Sequence, residues 1–300
     1  MKLQRGGDAT QVLQAAKHKL FVEGKDNQEI DPAVIHELLN NNGLTAIEVQ
    51  SMGCCDNVRS AAQALIHQHP AYYFLIDRDD QDQTTVDQSW AKFPDPTAFN
   101  MLIWRKRELE NYFIDPDYIE KSSLFLKPGI DVRQRILDVC CSRLFLDAAN
   151  LTLLYLNRKL RKPLAIGHFA NPEHFKNESE GVLQLEQLSG FTDKKKSSVV
   201  AVLEKDFVKQ AYSDFVNELS AGVDPLRYGS GSWLERMSGK EIFRVIANEC
   251  FQVRNASNVL LQGKEQNKQI AKELVNRPLA EQPPDFQSIV DALKKRVKSN

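Results

Sequence analysis

Acidic residues come directly after two predicted strands, at the position where each strand ends. Glu23 follows the apolar run at 20–22, and Asp77 and Asp79 follow the apolar run at 72–76. Carboxylates that are held together repel one another more strongly as water is excluded, and a bound cation relieves that repulsion. Carboxylate oxygens are typical ligands of hard ions. The pattern therefore predicts a site for Mg²⁺ or Mn²⁺ formed by Glu23, Asp77 and Asp79.

The segments between these residues alternate between helix and strand patterns. A helix is predicted from Asp31, a strand at 45–49, and a second helix from Asp56, whose apolar residues recur at helical spacing. Strands joined by helices in this way predict right-handed crossovers and an α/β fold with a mainly parallel sheet flanked by helices. Ligands of such sheets bind beyond the carboxyl ends of the strands. We therefore expect Glu23 and Asp77 to face the same crevice.

The chain changes its character to helices after about residue 116. Before that point, residues 80–99 are polar and contain Pro94 and Pro96, so this stretch is predicted to be irregular, and 100–104 is the candidate fourth strand. We expect a catalytic core at 1–115, a mainly helical domain at 116–228 and a C-terminal helical segment at 229–300. The helices predicted in the second half cover 131–147, 148–161, 197–220, 239–251 and 285–298.

The composition is that of an ordinary soluble globular protein, with 300 residues, 42% hydrophobic, 26% charged, and a net charge of −1. A near-neutral chain has no overall cationic field, so any contact with nucleic acid has to come from local basic patches. The five cysteines fit neither a zinc pattern nor a disulfide framework. Residues 1–7 contain no apolar leader and no long apolar run follows, so a cytoplasmic location without a membrane span is expected.

Three runs of basic residues could supply such patches. Clustered lysine and arginine bind phosphates with a salt-dependent affinity. A charged run is also what a solvated helix face contains, so both interpretations stay open for each run. The runs are Arg105-Lys106-Arg107 beside the expected site, Arg158-Lys159 with Arg161-Lys162, and Lys194-Lys195-Lys196.

Two stretches resemble the motifs of Toprim domains, the catalytic fold of primases, topoisomerases and overcoming-lysogenization-defect nucleases. They are residues 20–26 (LFVEGKD) and 74–79 (FLIDRD). Residues 107–112 (RELENY) and 238–241 (SGKE) are similar to segments of Toprim effectors that act beside an ABC-type ATPase in bacterial phage defence, in particular those of PARIS systems. The resemblance is specific over 18–115 and thinner in the C-terminal part.

The resemblance implies a role for each matching residue. Glu23 would act at the metal or as general acid/base, and Asp77 and Asp79 would hold Mg²⁺. Glu110 would be a further acidic group near the site, and Lys240, returned by the C-terminal segment, would be a cation for the scissile phosphate. From the residue types alone, Glu110 also fits an ordinary surface acid and Lys240 the start of a helix.

As a function, the resemblance implies a magnesium-dependent endonuclease that is the toxic effector of an anti-phage defence system. Such an effector would cleave tRNA once an ABC-type ATPase partner releases it, and a homodimer is a candidate for its active form. The chain departs from the family at 80–99, where a standard Toprim crossover has a helix. Tyr112 could be a covalent nucleophile of the topoisomerase type, although aromatic residues more often belong to a core.

Two other functions stay open. No residue type in the chain selects RNA over DNA. One is a DNA nickase or endonuclease of the overcoming-lysogenization-defect kind. The other is a non-catalytic module that regulates the ATPase. Loss of cellular toxicity on mutation of Glu23 is expected for a nuclease and not for such a module.

Overall fold

The computed structural model describes residues 18–26, 29–65, 68–95, 100–126, 129–164, 172–174 and 176–298. Residues 1–7 and Pro96, which entered the sequence predictions, lie outside these ranges, as does the side chain of Lys162.

A four-stranded parallel sheet forms the centre of the α/β core. Its strands are β1 His18–Val22, β2 Ile47–Ser51, β3 Tyr72–Ile76 and β4 Met101–Ile103. They lie in the order β2-β1-β3-β4, and all three neighbouring pairs are parallel. Parallel order requires crossover connections, which helices supply here. The sequence prediction of a parallel sheet flanked by helices is therefore confirmed. The helices between the strands are α1 Ile30–Asn41, α2 Cys55–Leu65 and α3 Gln83–Lys92.

The central strand β3 is buried on both faces. Tyr73, Phe74, Leu75 and Ile76 are at most 2% exposed. The ring of Phe74 stacks on that of Phe21 in β1, with 5.3 Å between the centroids. A strand covered by helices on both sides has no polar face, which is why this segment reads as a continuous apolar run.

Helix α3 corrects the sequence prediction for residues 80–99, which was wrong in treating the whole stretch as irregular. The carboxylate of Asp82 caps the helix by accepting a hydrogen bond from the backbone N–H of Thr85, 2.8 Å. Val86 and Ser89 face the core, and Trp90 donates from its indole N–H to the carbonyl of Ile103 in β4, 2.8 Å. The pattern was hidden because few apolar residues mark the inner face.

The second half of the chain is helical, as predicted, but its helices differ in extent. Positions 131–147 and 148–161 form one helix because neither glycine nor proline separates them. The predicted helix 197–220 is divided at Glu204, and the helices at 178–196 and 263–275 were not predicted. The helices are α4 Pro116–Ile119, α5 Val132–Leu164, α6 Glu178–Leu203, α7 Lys205–Ser220, α8 Trp233–Arg236, α9 Gly239–Cys250, α10 Gly263–Val275 and α11 Pro284–Lys298, with 3₁₀ turns at Leu109–Phe113, Pro172–His174 and Leu279–Glu281.

The chain divides into two compact units. One comprises Met1–Cys141 with Leu234–Asn300, and the other comprises Ser142–Trp233. The expected boundary at residue 116 therefore falls later, at 141, because the intervening segment packs on the first unit. For example, the hydroxyl of Tyr118 donates to the carbonyl of Leu274, 2.7 Å.

Helix α5 contains the one described stretch, Val132–Arg161, that is long and apolar enough to cross a membrane by length and composition. This finding differs from the sequence expectation of no such segment. It carries little weight, because core helices of soluble proteins meet the same criterion, and 44% of the apolar window is buried.

Candidate active site

The ends of strands β1 and β3 bring Glu23 and Asp77 into direct contact. The two strands are paired in parallel, with Val22 opposite Leu75. The backbone N–H of Asp77 donates to Oε1 of Glu23 at 2.9 Å. The chain leaves β1 through Gly24, whose φ of 135° is readily reached only by glycine. This turn places the carboxylate of Glu23 over the end of the neighbouring strand.

Asp31 is a third acidic residue at this edge, and the sequence analysis treated it only as a helix cap. Helix α1 begins one residue earlier, at Ile30, so Asp31 lies in its first turn. Burial and the charge of Asp77 raise the pKa of Asp31 to about 8. The position could have been recognised in the sequence, since the helix that follows β1 must start at the same edge of the sheet where Glu23 lies.

Asp79 lies in a turn whose backbone is held from two directions. Its φ of 48° is in the left-handed region, which is uncommon for a residue with a side chain. The backbone N–H groups of Arg78 and Asp79 both donate to the carbonyl of Arg107, at 3.0 and 3.2 Å. The guanidinium of Arg236 donates to the carbonyl of Asp79 at 3.1 Å. Burial raises the pKa of the Asp79 carboxyl, although nearby Lys240 opposes this shift.

A C-terminal segment brings Lys240 to the strand ends. Oε2 of Glu108 accepts hydrogen bonds from the backbone N–H of Lys240, 2.8 Å, and from the hydroxyl of Ser238, 3.3 Å. This anchors the start of α9 next to the 3₁₀ turn Leu109–Phe113. Gly239 lies so close to Asn111 that a Cβ at this position would be 2.6 Å from its backbone nitrogen. Only glycine therefore permits this approach.

Lys240 forms an ion pair with Asp77 at the centre of the acidic group. The distance from Nζ to Oδ2 is 3.0 Å, and Asp77 is 4% exposed while the lysine side chain is 48% exposed. Burial raises the pKa of Asp77 to about 6, and Lys240 opposes the shift. Burial lowers the pKa of Lys240, but the carboxylates of Asp77 and Glu110 outweigh it, so the net pKa lies above its ordinary value. The ammonium is therefore charged at every physiological pH.

Burial and the neighbouring acidic residues raise the pKa values of both Glu23 and Glu110. Burial and the charge of Asp77 raise the pKa of Glu23 to about 8. Burial and the charge of Asp31 raise the pKa of Glu110 well above its ordinary value. Glu110 is 3% exposed, and its Oε2 has no hydrogen-bond partner within the part of the chain that the structure describes. A buried carboxyl oxygen without a partner is costly unless a proton or a cation compensates it.

The carboxylate oxygens at this edge are of the type that a hard cation prefers, but the described side chains do not surround a single position. A cavity of about 10 Å³, the space open to the centre of one water molecule, is lined by the carboxyl-bearing residues Glu23, Asp31 and Asp77. Oxygen ligands of this kind suit Mg²⁺. Among the described residues, however, no three Asp, Glu, His or Cys side chains already converge at metal-binding distances. The ammonium of Lys240 compensates Asp77 in this arrangement.

The basic run beside the site makes internal contacts. Arg105 pairs with Asp285 and lies 3.9 Å over the ring of Trp90. Lys106 donates to the carbonyl of Asn111 at 3.1 Å, and burial lowers its pKa. Arg107 is 7% exposed. The structure thus gives these three residues structural contacts, and their binding to nucleic acid stays a prediction.

The second basic run lies in the other unit, on α5. Arg158 and Lys159 lie over the ring of Tyr155, at 5.8 and 5.2 Å from its centroid, and Arg161 is exposed. The side chain of Lys162 lies outside the described residues. A role of this run in binding phosphates likewise stays a prediction.

Tyr112 belongs to the core of the first unit. It is 2% exposed, and its hydroxyl donates to Oδ2 of Asp285. Burial raises its pKa well above the ordinary value. A buried, paired and protonated phenol is poorly placed to attack a phosphodiester.

No protein-family model matches the chain, and no curated protein is detectably similar to it. The candidate site therefore depends on its own residues and contacts.

Proposed function

We propose that the chain is a metal-dependent endonuclease with a Toprim-type core, whose site is formed by Glu23, Asp77 and Asp79. The observation that carries the proposal is the hydrogen bond from the Asp77 backbone to the Glu23 carboxylate, with Lys240 paired to Asp77. Carboxylates at the ends of neighbouring parallel strands, together with a permanent cation, are suited to bind and polarise a phosphodiester.

The residues that would hold Mg²⁺ or Mn²⁺ are Glu23, Asp77 and Asp79, with Glu110 and Asp31 close by. A bound ion would supply charge stabilisation for the phosphodiester oxygens. Lys240 adds a second positive charge that does not depend on pH in the working range. Without a metal ion, burial and the charge of Asp77 raise the pKa of Glu23 to about 8, and a bound cation would favour its ionised form.

The substrate and the partner follow from the resemblance alone. The resemblance to the Toprim effectors of PARIS systems favours tRNA as the substrate and an ABC-type ATPase as the partner that keeps the protein inactive until infection. A toxic cytoplasmic effector is the corresponding biological role. DNA cleavage of the overcoming-lysogenization-defect kind uses the same site chemistry and is the first alternative.

A non-catalytic regulator of the ATPase is the second alternative, and one observation favours it. The described acidic side chains do not already converge on a metal position, and Lys240 compensates Asp77. In that case the cluster would have a structural role and would need no ion.

Cleavage of purified tRNA and of supercoiled plasmid, with Mg²⁺ or with a chelator, tests these possibilities. We expect metal-dependent cutting of tRNA, at least ~100-fold slower in Glu23→Gln. Glu120→Gln is the matched control, because this glutamate is exposed in the same unit. Rapid plasmid cutting with intact tRNA would select the DNA alternative. Equal toxicity of wild type and Glu23→Gln in cells would favour the regulator.

A further inference from the structure

Helix α5 leaves an apolar stripe open to solvent between residues 142 and 161. Phe145, Leu146 and Leu153 are 59%, 54% and 58% exposed. Because a helical turn takes about 3.6 residues, these side chains lie within an arc of about 100° on one face. The arc continues to the half-buried Leu160, about 22 Å from Phe145 along the helix. Large apolar side chains that stay open to water along one face are typical of an interaction surface.

No charged residue interrupts this stripe. Every position of the arc between 142 and 161 is apolar apart from the serine at its start, and all of them lie within the part of the chain that the structure describes. The stripe is therefore continuous from end to end. Its positions are Ser142, Phe145, Leu146, Ala149, Leu153, the buried Leu156, and Leu160.

The exposed charges beside the stripe are basic. Lys159 and Arg161 are exposed and lie on its two sides, about 40° before the arc and about 60° beyond it. Asp147 is the one acid in residues 142–161, and it is fully buried and paired with Arg143 at 3.0 Å. The helix thus combines an apolar face with positive charge on both flanks.

Another face of the same helix is already packed within its unit. The ring of Tyr155 lies 6.3 Å from that of Phe207 and 6.0 Å from that of Phe215 in α7. Leu144 and Leu151 are buried. A helix that crosses a bilayer is apolar all round, whereas a helix with one apolar face lies in the plane of the membrane surface. The arrangement of α5 is of the second kind.

We propose that the stripe of α5 binds the surface of a membrane that contains anionic lipids. Phe145, Leu146 and Leu153 enter the boundary between the headgroups and the acyl chains. Lys159 and Arg161 contact the anionic headgroups on either side. An apolar face between basic flanks is typical of helices that lie on such surfaces, and each basic side chain adds an attraction that salt screens.

The apolar stripe favours a lipid surface over nucleic acid, which the same basic run was predicted to bind. Phosphates attract Lys159 and Arg161 in both cases, but a nucleic acid would leave the aliphatic side chains of the stripe in water. A protein partner would need an apolar groove with acidic rims, whereas an anionic bilayer offers an apolar layer and negative charge over its whole surface. This inference does not rest on the proposed nuclease function.

Co-sedimentation of the full chain with lipid vesicles tests the binding. We expect vesicles of phosphatidylcholine with about 30% phosphatidylglycerol to bind the wild type at least ~10-fold more tightly than phosphatidylcholine alone, and high salt to reduce this difference. Leu146→Glu/Leu153→Glu should weaken binding at least ~10-fold, because charges enter the apolar face.

Gln187→Glu/Ser198→Glu is the matched control for this variant. It adds the same charge at exposed positions of α6 in the same unit and should leave binding within about twofold of wild type. Circular dichroism checks that both variants keep their helix content.

A tryptophan in the stripe tests its insertion into the bilayer. The fluorescence of Leu153→Trp, corrected for the wild-type emission, should shift to shorter wavelength with anionic vesicles and be quenched by lipids brominated in their acyl chains. Val182→Trp, at an exposed position of α6, should show neither change.

Four results would overturn the proposal. They are a wild type that does not bind the anionic vesicles at about 1 mM lipid, equal binding by wild type and Leu146→Glu/Leu153→Glu, and an emission of Leu153→Trp that vesicles leave unchanged. The fourth is binding of purified tRNA or plasmid that Lys159→Glu/Arg161→Glu abolishes, without any binding of the wild type to vesicles. That last result would assign the basic run to nucleic acid.

Discussion

The ammonium of Lys240 lies 3.0 Å from Oδ2 of Asp77, although 163 positions separate the two residues in the chain. Asp77 is fixed by the end of a buried strand, and Lys240 is fixed by the start of helix α9. The contact therefore forms only when the end of this strand and the start of α9 are both in place. It also decides how much negative charge the site can hold in the absence of a metal ion.

Replacement of Lys240 by Met should destabilise the protein through Asp77. Removing one partner leaves a buried carboxylate uncompensated, but the lysine is half exposed, so we expect a loss of about 1–2 kcal/mol in the free energy of unfolding at pH 8. Urea denaturation measures it. Adding Asp77→Asn should recover most of the loss, and a double variant as unstable as the single one would contradict this account.

Replacement of Gly239 by Ala should displace the start of α9. The added Cβ would lie 2.6 Å from the backbone nitrogen of Asn111, and both groups are held by packing. We expect a loss of about 1–3 kcal/mol in stability, together with a loss of Mg²⁺ binding measured by calorimetry. Asn248→Ala, at an exposed position of the same helix, is the control and should change neither quantity.

The stability of the metal-free protein should fall as the pH rises, and Asp31 should carry part of this dependence. Its pKa is about 8 in the folded state against an ordinary 3.8. A carboxyl whose folded pKa is raised stabilises fully below the unfolded pKa, and that contribution is lost as the pH rises towards 8. Asp31→Asn should therefore melt at the same temperature as wild type near pH 4.

At pH 8.5 in the presence of a chelator, the same variant should melt higher than wild type, because asparagine cannot ionise. Scanning calorimetry from pH 4 to pH 9 measures the difference. A variant that follows the wild-type pH profile throughout would show that Asp31 does not titrate in this range.

Replacement of Tyr112 by Phe should affect stability and not cleavage. The hydroxyl is buried and donates to Asp285, which would lose a partner, so we expect a loss of about 1–2 kcal/mol. The rate of phosphodiester cleavage should stay within about twofold of wild type, because the phenol is buried and its hydroxyl is paired with Asp285. A loss of cleavage with normal stability would instead support a covalent tyrosine.

The sequence by itself determined the parallel sheet and the meeting of Glu23 with Asp77. The alternation of apolar runs with helical spacing predicts three strands and their crossovers, and parallel strands bring their carboxyl ends to one edge. Local patterns did not predict α3, which has few apolar residues on its inner face. They also divided α5 into two helices, although neither glycine nor proline separates its two parts. These elements are set by capping and by packing rather than by periodicity.

Only the tertiary structure decided which other groups reach that edge. Lys240 was expected there from resemblance alone, and the anchor at Glu108 and the close packing of Gly239 were not visible in the sequence. Contacts between residues more than a hundred positions apart depend on how separate elements pack, and no local pattern records that packing. The strand ends therefore follow from the sequence, whereas the charge balance around them follows from the fold.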